Sequence, residues 1–251
     1  MVKADRHIHA QVLTAPETAE RFIERAIELG FDEVCLTDHM PLPISPAADR
    51  IPDGRVGDYG RRGGELAARF AGRIVVRCGI EVDYHPDWHD FIRKVLGECE
   101  FFHVIGSAHL HVGYGMDFSK MTGDEYAAAS LDLSLAAARS GLVDAIGHLD
   151  YYRCSLNWPM LSGLRDRCYH PERHRERYAK VFAAMRDGGV ALEINGGGVR
   201  NTGRQFPADE VLELARPMGL RTVFGSDAHR PEDVGGGYEE IRRRHPWLEM
   251  G

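Results

Sequence analysis

The chain has 251 residues, of which 43% are hydrophobic and 27% charged, a balance that fits one sizeable core and excludes an extensively disordered chain. A formal net charge of −7 with scattered arginines lacks the basic stripe of a nucleic-acid binder, so no nucleic-acid partner is expected. No apolar run is long enough for a secretory signal or a membrane span, which makes a cytoplasmic location the expectation. The five cysteines, with no C-x-x-C spacing, read as small hydrophobes and not as a disulfide framework or a thiolate metal site.

Residues 2–9 read as a first strand. Thr14, Pro16 and Glu17 then resemble a capping box with proline in the first turn, and Ala19, Phe22, Ile23, Ala26 and Ile27 recur at helical spacing until Gly30 stops the helix. Short apolar runs at 33–39, 74–81, 101–109, 144–148, 190–195 and 221–227 give six further strands. Helices are expected between them at 59–71, 87–96, 171–186 and 207–218. Another helix opens at a second capping box, Thr122 to Glu125, and closes at Gly141. Segments 41–58 and 153–170 are the longest irregular stretches, and both follow strand ends, where loops over a functional face are expected. Gly196, Gly197 and Gly198 lack a strand-to-helix phosphate motif and are expected to form a flexible loop. The basic cluster Arg242, Arg243 and Arg244 reads as a solvated helix face.

Seven strands alternating with helices imply parallel pairing, because each parallel connection needs a crossover. Polar residues end every strand, at His9, His39, Glu81, His109, His148, Asn195 and Asp227. An open sheet gathers its site at one switch point, whereas a ring brings all strand ends together. The expected fold is therefore α/β, a distorted seven-stranded TIM-like barrel forming a single domain over residues 1–251.

His7 and His9 are two apart, so on a strand their rings share one face and can chelate one ion. Alone, an H-x-H is weak. It gains force from Thr37-Asp38-His39, Gly79-Ile80-Glu81, Gly106-Ser107-Ala108-His109, Gly147-His148-Leu149-Asp150 and Gly225-Ser226-Asp227-Ala228-His229, all at strand ends. Imidazole and carboxylate donors without thiolate suit zinc, manganese or iron. Two such ions a few ångströms apart can share a hydroxide and stabilise charge that develops on a reacting group.

This ordered set resembles the polymerase and histidinol phosphatase (PHP) family over nearly the whole chain. The blocks Ile80 to Pro86, Val104 to His109, Ala145 to Asp150, Glu193 to Asn195 running on to Arg200, and Phe224 to Glu232 are similar to its histidinol-phosphatase branch. The resemblance implies a metal-dependent phosphomonoesterase acting on a small-molecule phosphate ester, with two or three divalent ions. It implies that His7, His9, Glu81 and Asp227 hold one ion, that Glu81 bridges to a second held by His109 and His148, and that His39 and His229 belong to a third. Arg153 and Arg200 look like the family's phosphate-binding arginines. One departure stands out: the family's phosphatases carry a further histidine soon after the H-x-H, and residues 10–15 contain none. Gln11 or water fills that place, or the third ion binds weakly and the working centre is dinuclear. Other phosphoesterases of the family, acting on nucleotides or sugar phosphates, and a non-catalytic metal-binding scaffold are the alternatives.

Around this set, Asp5, Asp38 and Asp150 are candidates either to orient ligands or to cap loops, and His111 either to line the pocket or to lie in a solvated loop. His103, at the opposite end of its strand, is not expected to be a ligand, His85 is expected in a loop, and His89, His170, His174 and His245 have no motif around them.

Overall fold

The computed structural model describes residues 2–44, 49–110, 117–156, 161, 164–168 and 170–250. His111 and parts of the segments 41–58 and 153–170 lie outside the described residues. The strands are β1 (Ala4–Ile8), β2 (Glu33–Leu36), β3 (Val75–Cys78), β4 (Ile80–Asp83), β5 (Val104–Ser107), β6 (Ala145–Ile146), β7 (Ala191–Asn195) and β8 (Thr222–Gly225). Every pairing is parallel, in a three-stranded sheet ordered β1-β2-β3 and a five-stranded sheet ordered β4-β5-β6-β7-β8.

The expected parallel α/β architecture is therefore present, but the strand count differs: the single run expected at 74–81 is two strands divided at Gly79. The cause is a change of partner. Gly79 N–H donates to Leu36 O at 2.8 Å, still facing β2, and Ile80 N–H donates to His103 O at 2.9 Å, already facing the approach to β5. A Cβ on Gly79 would lie 2.5 Å from His103 O, so only glycine lets the three backbones meet there. Backbone bonds also join the two sheets. Beyond β2, Met40 N–H donates to Glu81 O at 2.9 Å; at the other edge Asp227 N–H donates to His7 O at 2.8 Å and His9 N–H to Ala228 O at 2.9 Å.

The helices are α1 (Pro16–Glu28), α2 (Val56–Arg69), α3 (His89–Leu96), α4 (Gly123–Arg139), α5 (Tyr152–Ser155), α6 (Arg175–Gly188), α7 (Gly197–Thr202), α8 (Asp209–Ala215) and α9 (Tyr238–Arg244). The capping box before α4 forms as expected: Thr122 Oγ1 accepts from Glu125 N–H at 3.2 Å and Glu125 Oε2 accepts from Thr122 N–H at 2.7 Å. The one expected before α1 does not, because the helix starts at Pro16 with Ala15 as its cap, leaving Thr14 one position too early. The short helices α5 and α7 were not expected from the sequence. Gly196 to Gly198 do not form a flexible loop: they lead into α7, and a Cβ on Gly196 would lie 1.8 Å from Gly236 O. These glycines serve close packing of backbone on backbone.

Among the described residues one large apolar cluster runs from Ile8 through Phe22, Leu36, Tyr59, Phe182 and Phe224 to Met250. Tyr59 of α2 projects into it and carries its hydroxyl to the sheet top, 2.8 Å from Leu36 O and 3.0 Å from Gly79 O, where it also accepts from Asp38 N–H at 3.2 Å. That buried tie fixes the chain just before His39. The cysteines are all free, and Cys35 is buried as expected, but Cys168 is exposed. On α9, Arg242 and Arg243 face solvent, while Arg244 donates to Gln205 Oε1 at 3.1 Å and pairs with Asp209. Among the described residues no helix is long and apolar enough to cross a membrane.

Candidate metal centre

The alternation of side chains along a strand builds the site. Asp5 and His7 of β1 with His9 just beyond it, Glu81 and Asp83 of β4, and Glu193 and Asn195 of β7 are each two residues apart, and all are buried. His39, His109, His148 and Asp227 follow the C-terminal ends of β2, β5, β6 and β8, so the polar set gathers at one end of the strands.

Glu81 lies at the middle, and its two oxygens face different partners. Oε2 is 2.7 Å from His39 Nδ1, 3.3 Å from His9 Nε2 and 3.5 Å from His7 Nε2. Oε1 is 3.0 Å from His148 Nε2 and 3.6 Å from His109 Nε2, and it accepts a bond from Ser107 Oγ at 2.5 Å. Asp227 closes the first half, its Oδ1 3.4 Å from His9 Nε2 and 3.8 Å from His7 Nε2. Four groups of three residues place ligand atoms within 4.8 Å of one another: His7, His9 and Asp227; His7, Glu81 and His148; His9, His39 and His229; and His39, Asp83 and His109. The third of these adds His9 to the pair His39 and His229, which by sequence stood alone. Its His229 is half exposed, unlike the other ligand candidates.

The donor set fits cations. His7 Nε2 lies 3.0 Å from His9 Nε2, and His109 Nε2 lies 3.2 Å from His148 Nε2, so ring nitrogens converge on one another. His7 Nδ1 is occupied by Glu193 Oε1 at 2.6 Å and His109 Nδ1 by Asp83 Oδ1 at 2.8 Å, which keeps the proton on Nδ1 and leaves Nε2 with a lone pair toward the centre. His39 Nδ1 and Glu81 Oε2 approach off the direction of a hydrogen bond, and both atoms, with His9 Nδ1, are buried without a hydrogen-bond partner among the described residues. Buried acceptors without donors are costly unless something positive sits between them.

Burial opposes charging His7, His39 and His148, but the neighbouring carboxylates of Glu193 and Glu81 outweigh it and raise these rings above the usual histidine value, so ring protons balance the carboxylates where no cation does. Burial opposes ionising Glu81, but His39, His109 and His7 together outweigh it and hold its carboxyl well below the usual carboxylate range. Burial likewise opposes ionising Asp227, and His7, His9, His148 and His229 hold it well below that range. His9, buried beside the His39 and His229 rings, is pushed well below the usual histidine value and kept neutral, the state a metal ligand needs.

Two residues to which sequence reasoning assigned no role organise the ligands. Glu193 accepts from His7 and also from His148 N–H at 2.6 Å, and Asp83 holds His109 while pairing with buried Arg50. Their signal in the sequence was an acidic residue inside an otherwise apolar buried strand. Asp5, Asp38 and Asp150 take the capping role. Asp5 accepts from Ser226 N–H at 2.8 Å and Gly235 N–H at 3.0 Å, Asp38 from Val12 N–H at 2.8 Å, and Asp150 from Ala208 N–H at 2.9 Å. Burial pushes each of the three up to about 6.

The two arginines flank the centre with intramolecular partners. Arg200 donates through Nη1 to Ser226 O at 3.1 Å and through Nη2 to Asp227 O at 2.9 Å, gripping the turn in which Asp227 takes a left-handed φ of 54°. Arg153 donates to Asp150 Oδ2 and Thr202 Oγ1, each at 3.0 Å, and lies over the Phe206 ring. Tyr151, unremarked in the sequence, packs its ring 4.6 Å from that of His148 and 5.4 Å from that of His109. His103 is buried away from the cluster, its ring pushed down to about 4 by burial. His89 meets Tyr84, His170 and His174 meet Asp124, and His245 meets Asp209.

Residues 5–197 match the PHP domain, and residues 208–249 match a PHP-associated segment. The chain belongs to the PHP domain family. It is 34% identical over 242 residues to a probable histidinol-phosphatase of Deinococcus radiodurans, covering 92% of this chain and 88% of that one. It is 26% identical over 275 residues to the histidinol-phosphatase of Bacillus subtilis, covering 97% of this chain and all of that one, 100%. Among solved structures, histidinol phosphate phosphatase from Lactococcus lactis, complexed with zinc, L-histidinol and phosphate, shares the fold at a TM-score of 0.75 with 22% identity, over 96% of this chain and 93% of that one.

Proposed function

We propose that this PHP protein is a cytoplasmic, metal-dependent phosphomonoesterase that hydrolyses L-histidinol phosphate to L-histidinol and phosphate. The observation that carries the reading is Glu81, whose two oxygens each face a separate set of histidine ring nitrogens. His7, His9, Glu81 and Asp227 would hold one ion, and Glu81, His109 and His148 a second. His39 and His229, with His9 beside them, would hold a third, weaker one. The expected metal is zinc, manganese or iron. When bound, the ions acidify a water and neutralise charge on the phosphoryl oxygens. The protein's own part is placement. Asp83 and Glu193 fix the rings, Arg200 holds the Asp227 turn, and Arg153 and Arg200 would offer their remaining guanidinium donors to the phosphate. Bonds between the two sheets at both edges support a closed, distorted barrel forming one domain over residues 1–251. Support for the substrate comes from the histidinol-phosphatase names of relatives that match almost end to end.

The test is phosphate release from L-histidinol phosphate against a panel of nucleotides and sugar phosphates, before and after chelation and with zinc, manganese or iron restored. Histidinol phosphate is expected to lead by orders of magnitude and the activity to vanish with the metal. A nucleotide or sugar phosphate in first place overturns the substrate, and a folded, metallated protein inert toward every ester leaves a scaffold.

A further inference from the structure

The histidines assigned to the two ions come from different sheets, yet one carboxylate touches both sets. His7 belongs to β1 in the three-stranded sheet, and His148 follows β6 in the five-stranded sheet. Glu193, on β7, is buried to 1% exposure. Its Oε1 takes the Nδ1 proton of His7 at 2.6 Å; its Oε2 takes the backbone N–H of His148 at 2.6 Å and Asn195 Nδ2–H at 3.0 Å. A buried carboxylate stripped of water must satisfy itself with such donors, so its position and theirs are fixed together. The strand tops leave room for it only because they lack side chains: a Cβ on Gly225 would lie 2.2 Å from Glu193 Oε1 and 2.5 Å from His7 Cβ.

Asp83 makes the contrast. It lies within 4.8 Å of His39 as well, but the ring it bonds among the described residues is that of His109, at 2.8 Å, and it is itself paired with Arg50. The ring of His7 and the backbone that carries His148, by contrast, are referenced to one and the same carboxylate.

We infer that Glu193 is a positioning residue shared by both metal sites, setting the affinity of each although it coordinates neither. The inference rests on the ligand assignment proposed above. Outer hydrogen-bond partners of metal-binding histidines contribute about 10–100-fold in affinity. Glu193→Gln keeps the shape but has one acceptor oxygen where His7 and His148 together need two, and it removes the negative charge that both donors face. It should weaken both sites by roughly that factor, whereas Asp83→Asn should weaken only the site that uses His109.

The experiment is competition calorimetry of the metal-free full chain with zinc, for wild type, Glu193→Gln and Asp83→Asn, with circular dichroism as the folding control. Two weakened binding events in Glu193→Gln and one in Asp83→Asn support the inference. A folded Glu193→Gln with either event at its wild-type affinity overturns it. Should that variant not fold, two measurements decide. Asn195→Ala, which strips one donor from Glu193 and a longer one, at 3.5 Å, from Asp227, should weaken both events by a smaller factor, and an unchanged event at the site that does not use Asp227 overturns the inference. In the zinc-loaded wild type, ¹⁵N NMR of the histidine rings should show His7 protonated at Nδ1, and protonation at Nε2 overturns it. A wild-type protein that takes up no zinc overturns the metal assignment and this inference with it, and the wild-type trace separates that failure from a failure of Glu193 alone.

Discussion

Among the described residues histidines gather around a carboxylate in two places, and the two are built in opposite ways. At the N-terminus of α4, Asp124 accepts from His170 N–H at 2.6 Å, His170 Nδ1 at 2.9 Å, Arg173 Nη1 at 2.6 Å and His174 Nε2 at 3.3 Å. Donors outnumber the acceptor oxygens, the carboxylate is saturated, and its position suits the positive end of a helix. At the strand ends, Glu81 faces five ring nitrogens, and the rings of His7 and His109 turn their Nδ1 protons away from it, to Glu193 and Asp83, so only some of the nitrogens around Glu81 can donate to it. The first arrangement is complete as protein, whereas the second is completed by cations. A count of histidines does not separate them; the direction of their protons does.

That contrast can be broken by substitution. The largest effect is expected for Glu81→Gln, which removes the charge both halves share: turnover should fall on the order of 10³-fold, with loss of bound metal in elemental analysis. A variant that keeps its metal and its kcat would show that the convergence of acceptors has no functional meaning. His229→Ala should be milder, because that ring is half exposed and serves only the third group: about a tenfold fall in kcat/KM at limiting metal, recovered at high metal concentration. A loss as deep as that of Glu81→Gln would make the third group part of the working core.

The smallest effect belongs to the saturated cluster. Asp124→Ala should cost about 1 kcal/mol in chemical denaturation and leave kcat/KM unchanged. Burial opposes the ionised form of Asp124, yet its bonds to His170, Arg173 and His174 lower it from 3.8 to about 2. Its folded value is therefore below the unfolded one, so its contribution is complete above about 4 and is lost as pH falls toward 2. A variant whose acid unfolding matches wild type across that window would remove the cluster's assigned role.

Much of this was legible in the amino-acid sequence. Hydrophobic runs separated by capped helices are local signals, and they located the alternation of strands and helices and the Thr122 cap. His7, His9, Glu81 and Asp227 were marked by ending such runs, and the structure brings them together. What escaped depended on neighbours distant in sequence. Whether 74–81 is one strand or two turns on His103 and Leu36 approaching Gly79 from either side, and the local pattern is equally apolar in both cases. Arg153 and Arg200 were read as phosphate anchors from the family resemblance, but only packing shows that Arg200 also holds the Asp227 turn.

The sequence by itself determined the alternation of strands and helices and the imidazole and carboxylate chemistry of the strand ends, because residue type and period are carried by the chain locally. Tertiary structure alone decided that Glu81 divides its oxygens between two halves, that His9 joins His39 and His229, and that Glu193 reaches both His7 and His148. Those relations are distances between strands far apart in the chain, and they exist only once the two sheets have met.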